Sequence, residues 1–153
     1  MFVLGFMGSG NSVMRNWIAL ASLVVGVALL VGCGSSKYSP VSGQLVFPDG
    51  APVTGLEGGT VVFETTSPDG QLVSASGPID AQGKFTLGTE AVSDGALPGK
   101  HRVLITPPAV SGDVPPPPVI DPKYGAFETS GLEVEVTAGK NESVKLTVEP
   151  PKK

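Results

Sequence analysis

From Pro40 onward the chain is built of short runs in which apolar and polar residues alternate, and Pro, Gly, Asn or Asp interrupts these runs every few residues. Alternation with period two puts every second side chain on one face of a strand, and interruptions this frequent leave no room for a helix of ordinary length. The plainest case lies near the carboxyl end. Leu132, Val134 and Val136 alternate with Glu133, Glu135 and Thr137; then Val144, Leu146 and Val148 alternate with Lys145, Thr147 and Glu149. Between them Ala138-Gly139-Lys140-Asn141 offers Gly and Asn for positive φ, which predicts an antiparallel hairpin with one apolar and one wet face. Lys145 would then stand across from Glu133 or Glu135, a surface pair contributing at most ~0.5 kcal/mol.

Further strands are expected over Val41 to Phe47, Thr60 to Thr65, Leu72 to Ile79, Lys84 to Leu87 and His101 to Thr106. Each is bounded by explicit turn chemistry: Pro48-Asp49-Gly50, Ser67-Pro68-Asp69-Gly70, Asp80-Ala81-Gln82-Gly83 and Leu97-Pro98-Gly99. About seven short strands, each with one apolar face to bury, make a two-layer antiparallel β-sandwich the economical solution. Its centre is expected at Phe63, Phe85, Val103 and Ile105. Pro107-Pro108 and the run Pro115 to Pro118 exclude helix and central strand, and the run of four predicts a stiff polyproline II spacer that keeps an edge from pairing.

Composition supports the same class. The 153 residues include 21 Gly and 15 Pro, with only 16% charged residues, a balance that favours turns over surface helices. The net charge of −4 and the scarcity of adjacent basic residues, limited to His101-Arg102 and Lys152-Lys153, exclude nucleic acid as the natural partner. One cysteine rules out an internal disulfide, and one cysteine with one histidine cannot supply a zinc site of the usual ligands. No metal and no cofactor are expected.

The amino end has the layout of a secretory signal. Trp17 to Val31 is uncharged and almost wholly apolar, with Arg15 before it and the small residues Gly32, Cys33, Gly34, Ser35 and Ser36 after it. It stops short of the ~20 residues of a spanning helix. Met14-Arg15 has the form of a start, in which case residues 1 to 13 would not be translated. The expected organisation is a signal-peptide helix within 1–32, a lipidated cysteine and polar tether over 33–39, a β domain over 40–150 and a tail over 151–153.

Leu30-Val31-Gly32-Cys33 resembles the lipobox of bacterial lipoproteins. The resemblance implies cleavage after Gly32, with diacylglycerol on the Cys33 thiol and often an acyl chain on the new amino group. Burying lipid gains ~0.8 kcal/mol per methylene, so two or three chains hold almost permanently. The implied location is a bacterial envelope, at the periplasmic or outer-membrane face. With Gly rather than Asp at position 34, the resemblance to proteobacterial sorting implies that transfer to the outer membrane is permitted.

Three further segments, in order, resemble the carboxypeptidase regulatory-like, or transthyretin-like, β-sandwich family. They are Val41-Ser42-Gly43-Gln44-Leu45 with Asp49-Gly50-Ala51-Pro52-Val53, then Asp80-Ala81-Gln82-Gly83-Lys84-Phe85-Thr86-Leu87, then Leu97-Pro98-Gly99-Lys100-His101-Arg102-Val103. His101 stands where that family usually has Tyr. The stretch from Asp121-Pro122-Lys123-Tyr124 to Thr129-Ser130-Gly131-Leu132 is similar to the end of small lipoproteins of planctomycete bacteria, a likeness that implies architecture and no activity.

The chemistry of enzymes with related folds needs groups this chain lacks. Intradiol dioxygenases hold iron with two Tyr and two His, hydroxyisourate hydrolases use two His with an Arg, and zinc carboxypeptidases need two His and a Glu; here His101 is alone. No G-x-S-x-G and no second histidine could activate a serine, and Ser130 reads as a turn residue. Isopeptide-forming relatives need a Lys on the first strand, and Val41 to Phe47 has none. Asn141-Glu142-Ser143 matches a glycosylation sequon that bacterial hosts generally ignore. The expectation is therefore a non-enzymatic binding module of the cell envelope. It would touch the bilayer through acylated Cys33 and an envelope protein or glycan through loops at one end. The alternative is a structural envelope protein with no discrete ligand site.

Overall fold

A computed structural model describes residues 36–109 and 115–152. Leu30, Val31, Gly32 and Cys33 lie outside the described residues. The described chain is all-β, with seven strands in two sheets: β1 (Val41–Val46), β2 (Thr60–Thr66), β3 (Leu72–Pro78), β4 (Lys84–Thr86), β5 (Gly99–Thr106), β6 (Leu132–Val136) and β7 (Asn141–Thr147). One sheet has the order β4-β1-β7 and the other β3-β2-β5-β6.

The strands fall where alternation and turn residues put them. β2 and β3 form a hairpin in which Thr60 opposes Pro78 and Thr66 opposes Leu72. Its turn closes through Gly70 N donating to Ser67 O at 2.9 Å and Ser67 N donating to Gln71 O at 2.8 Å. In the turn before β4, Asp80 Oδ1 accepts from the amides of Gln82 and Lys84, both at 2.8 Å, so the side chain stands in for a missing strand partner. Between β5 and β6 two short helical turns intervene. A 3-10 turn, Pro122–Gly125, is started by the Asp121 side chain accepting from Lys123 N and by Pro122 at the first position. The single-turn helix α1, Phe127–Ser130, ends at Gly131 in the left-handed region.

The last two strands correct the sequence expectation. β6 and β7 are not a hairpin. β6 pairs antiparallel with β5, Leu132 opposite Val103 and Val136 opposite Gly99. β7 crosses to the other sheet and pairs parallel with β1, Gln44 opposite Lys145 and Leu45 opposite Leu146. The pairing is therefore not antiparallel throughout. Glu133 meets Lys100 at 2.8 Å, across β5, in place of Lys145. The physical reason is that β5 and β1 each have one edge left open, and each takes one of the two strands; between them Asn141 Oδ1 accepts from Thr137 N at 3.0 Å while its Nδ2 donates to Thr137 O and Gly139 O, which holds residues 137–141 as an arch between sheets.

Both sheets contribute to one core. Val61, Phe63, Val103, Ile105 and Val136 from one sheet, and Val41, Leu45, Phe85 and Leu146 from the other, are all at most 3% exposed. The rings of Phe63 and Phe85 approach to 6.1 Å, tilted by 52°, and join the two layers at the centre. The four residues expected at that centre are all there. Along one side the sheets nearly join, through bridges Ser76 to Gly88 and Ile79 to Phe85. A Cβ on Gly77 would fall 2.1 Å from Thr86 O, so only glycine permits that seam.

Strand directions define two poles. Tyr38, Ser39 and Pro40 enter β1 at one, together with the turn 67–70, the loop 88–98 and the arch 137–141. The other carries the turn 48–50, the loop 54–59, the turn 80–83 and the segments after β5 and β7. Among the described residues burial begins at Tyr38, ahead of Pro40: Tyr38 and Ser39 are 6% and 5% exposed, and Ser39 exchanges two backbone hydrogen bonds with Ala96. Among the described residues no helix is long and apolar enough to cross a membrane.

Candidate functional site

His101, the only imidazole, sits in β5 at 1% exposure, its ring 5.7 Å from that of Phe63. Its Nε2 lies 2.7 Å from Leu97 O, a geometry that assigns the ring proton to Nε2, while Nδ1 has no partner. Burial holds the imidazole below its ordinary value of 6.5, opposed by the Leu97 carbonyl. No carboxylate orients the ring, so it lacks the geometry of a general base. Below pH 6.5 the unfolded chain takes up a proton that the folded one resists, so stability falls as pH drops through that value and is indifferent to His101 above it. In urea titrations at pH 5 and pH 7, His101→Phe is expected to lose less stability on acidification than the wild type. Equal losses in both proteins would show that this imidazole does not carry the dependence.

The other candidates are structural. Ser130 is buried, donating its hydroxyl to Val103 O and accepting from Leu132 N, and so locks α1 onto β5. Asn141 is used up by the arch. Glu133 and Glu135 lie on the exposed face of β6. Among the described residues no three His, Cys, Asp or Glu side chains gather as metal ligands would.

What the fold assembles instead is a groove at the pole opposite Tyr38. β5 ends at Thr106 and delivers Pro107-Pro108; Pro115 to Pro118, Val119 and Ile120 return along it, and Leu56 and Ile105 form the floor. The volume is about 330 Å³. The prolines thus line a groove. Among the described residues the one charged side chain there is Asp121, which accepts from Lys123 N at 3.0 Å. Next to it, Lys123 and Glu149 form an ion pair at 2.7 Å that raises the lysine and lowers the carboxyl from their ordinary ranges. Tyr124 Oη accepts from Glu149 N at 3.0 Å, which ties the 3-10 turn to the end of β7. Such walls accept an aliphatic or ring-bearing group by contact. The density of prolines was the sequence sign of this groove; its floor comes from residues far apart in the chain.

A second, more open cleft of about 630 Å³ follows the seam between β3 and β4. Several of its polar groups are engaged in the protein's own turns. Asp80 serves the turn before β4, the Thr89 hydroxyl donates to Gly95 O at 2.7 Å, and Glu90 accepts from Tyr38 Oη at 2.5 Å, raising the phenol above its ordinary range. Asp94 accepts the amides of Thr89, Glu90 and Ala91, the first at 2.6 Å, and is held below the ordinary carboxylate range. No protein-family model, curated protein or solved structure matches this chain.

Proposed function

We propose that this chain is a bacterial lipoprotein. In this reading the signal segment is removed before Cys33, the cysteine is lipidated, and a β-sandwich of the carboxypeptidase regulatory-like type is displayed as a non-enzymatic binding module of the cell envelope. The observation that carries the reading is the apolar run Trp17 to Val31, ending in Leu30-Val31-Gly32-Cys33 only five residues before Tyr38, where burial begins among the described residues. Five residues span at most about 18 Å, so the domain would stand close to the surface that holds it. The pole opposite Tyr38, with its proline groove, would face outward to an envelope protein or glycan.

The test is intact-mass spectrometry of the full chain expressed in a bacterial host, with membranes separated from soluble material. The expected product begins at Cys33, exceeds its polypeptide mass by diacylglycerol with or without one acyl chain, and is found with membranes. Cys33→Ala is expected to abolish the added mass and leave the leader attached. An unlipidated product that is the same for both chains would overturn the proposal.

A further inference from the structure

Only two large hydrophobic side chains stand well exposed among the described residues, Leu72 at 67% and Val92 at 96%. Both belong to the pole at which Tyr38 enters the fold. Leu72 opens β3 opposite Thr66, beside the turn 67–70, and Val92 tops the loop between β4 and β5. Isolated exposed apolar residues are ordinary on a protein surface; among the described residues, both large aliphatic side chains that are well exposed fall on this pole. Exposed Pro68, Ala91 and Ala138 share it.

The loop bearing Val92 is held in shape. Asp94 accepts three of its amides, Ser93 takes a positive φ of 62°, and Gly95 N donates to Leu87 O at 3.0 Å. A loop fixed this firmly does not fold its valine inward, so the exposure of Val92 is part of the native shape. The charges around it are mixed and largely engaged: Glu90 with Tyr38, Asp69 with the Ser67 hydroxyl, Lys140 with Glu142 at 3.5 Å.

We infer that the pole bearing Leu72 and Val92 rests on the lipid surface, with both side chains entering the boundary between headgroups and acyl chains. The inference rests on the lipid anchor proposed above. A chain fixed at Cys33 whose burial begins at Tyr38 keeps this pole within about 18 Å of the bilayer. Apolar side chains held that close to an interface partition into it. The anchor alone leaves the domain free to swivel; two inserted side chains fix its orientation and hold the proline groove away from the membrane.

The full lipidated chain in phosphatidylcholine vesicles tests this. Leu72→Cys, Val92→Cys and Asp49→Cys, the last at the opposite pole, each carry one environment-sensitive fluorophore. The single native cysteine, Cys33, is blocked by its lipid. Flotation and mass report the anchor; quenching by acyl-chain-brominated lipid reports the pole. The expected result is quenching of at least about twofold at positions 72 and 92, unaffected by 0.5 M salt, and none at 49. Floating, lipid-bearing protein with no quenching at 72 and 92, or with quenching at 49, overturns the orientation and leaves the anchor standing. Protein that carries no lipid and does not float removes the anchor and this inference together.

Discussion

Phe63→Ala is expected to lower the unfolding free energy of the β domain by about 3–5 kcal/mol, the range for truncating a fully buried phenylalanine. Phe63 lies in β2, the strand that pairs with both β3 and β5, and is entirely buried. Its ring meets Phe85 across the layers and His101 within its own sheet, so truncation opens a void at the join of the two sheets. Domains of this size are stable by only ~5–15 kcal/mol, so the change consumes a large share of the total. Urea denaturation should show a lower midpoint with an unchanged slope. Phe127→Ala serves as the comparison, because Phe127 is only half-buried under the Arg102 guanidinium, 5.1 Å from its ring, and should cost far less. Equal midpoints for the two variants would mean that the aromatic contact between layers is not the centre of the core.

Gly95→Ala should be the next most damaging change, at about 2–4 kcal/mol, combining strained backbone with a clash. Gly95 has φ of 97°, and an added Cβ would fall 1.9 Å from Ser39 O. That oxygen belongs to the two-bond bridge between Ser39 and Ala96, which holds the start of the fold to the loop before β5. The damage should be local before it is global. Hydrogen exchange is expected to quicken at Ser39 and Ala96 well beyond any change at Val61 and Ile105, which exchange only when the core opens. A variant in which all four amides quicken equally would show that the bridge has no independent opening.

Period-two alternation made the strands legible because a strand half-buried in a sheet must alternate, whatever strand it pairs with. Core residues followed for the same reason, Phe63, Phe85, Val103 and Ile105 among them. Turns were legible where one side chain or one glycine closes them locally, as at Asp80 and Gly70. The proline groove was half visible: the prolines announced an irregular segment, but Leu56 and Ile105 reach it only through pairings far along the chain. The unpartnered nitrogen of His101 had no sign in the sequence, since its environment comes from β2 and from Leu97.

The clearest division falls between β6 and β7. Their apolar positions and the short connection 138–141 are local facts, and by themselves they describe a hairpin. Which strand each one pairs with depends on the edges left open by the rest of the chain. β5 is paired on one side by β2 and β1 on one side by β4, and each offers its other edge. A hairpin would have filled one edge and left β1 in a two-stranded sheet with little apolar cover for the core. Sending β6 to β5 and β7 to β1 fills both edges and buries Val136 and Leu146 in the core that the two sheets share. The sequence by itself determined that the chain from Pro40 onward is built of strands and turns, and which face of each strand is apolar. Only the tertiary structure decided the partners, because backbone pairing carries no sequence code of its own and is settled by what the whole chain must bury.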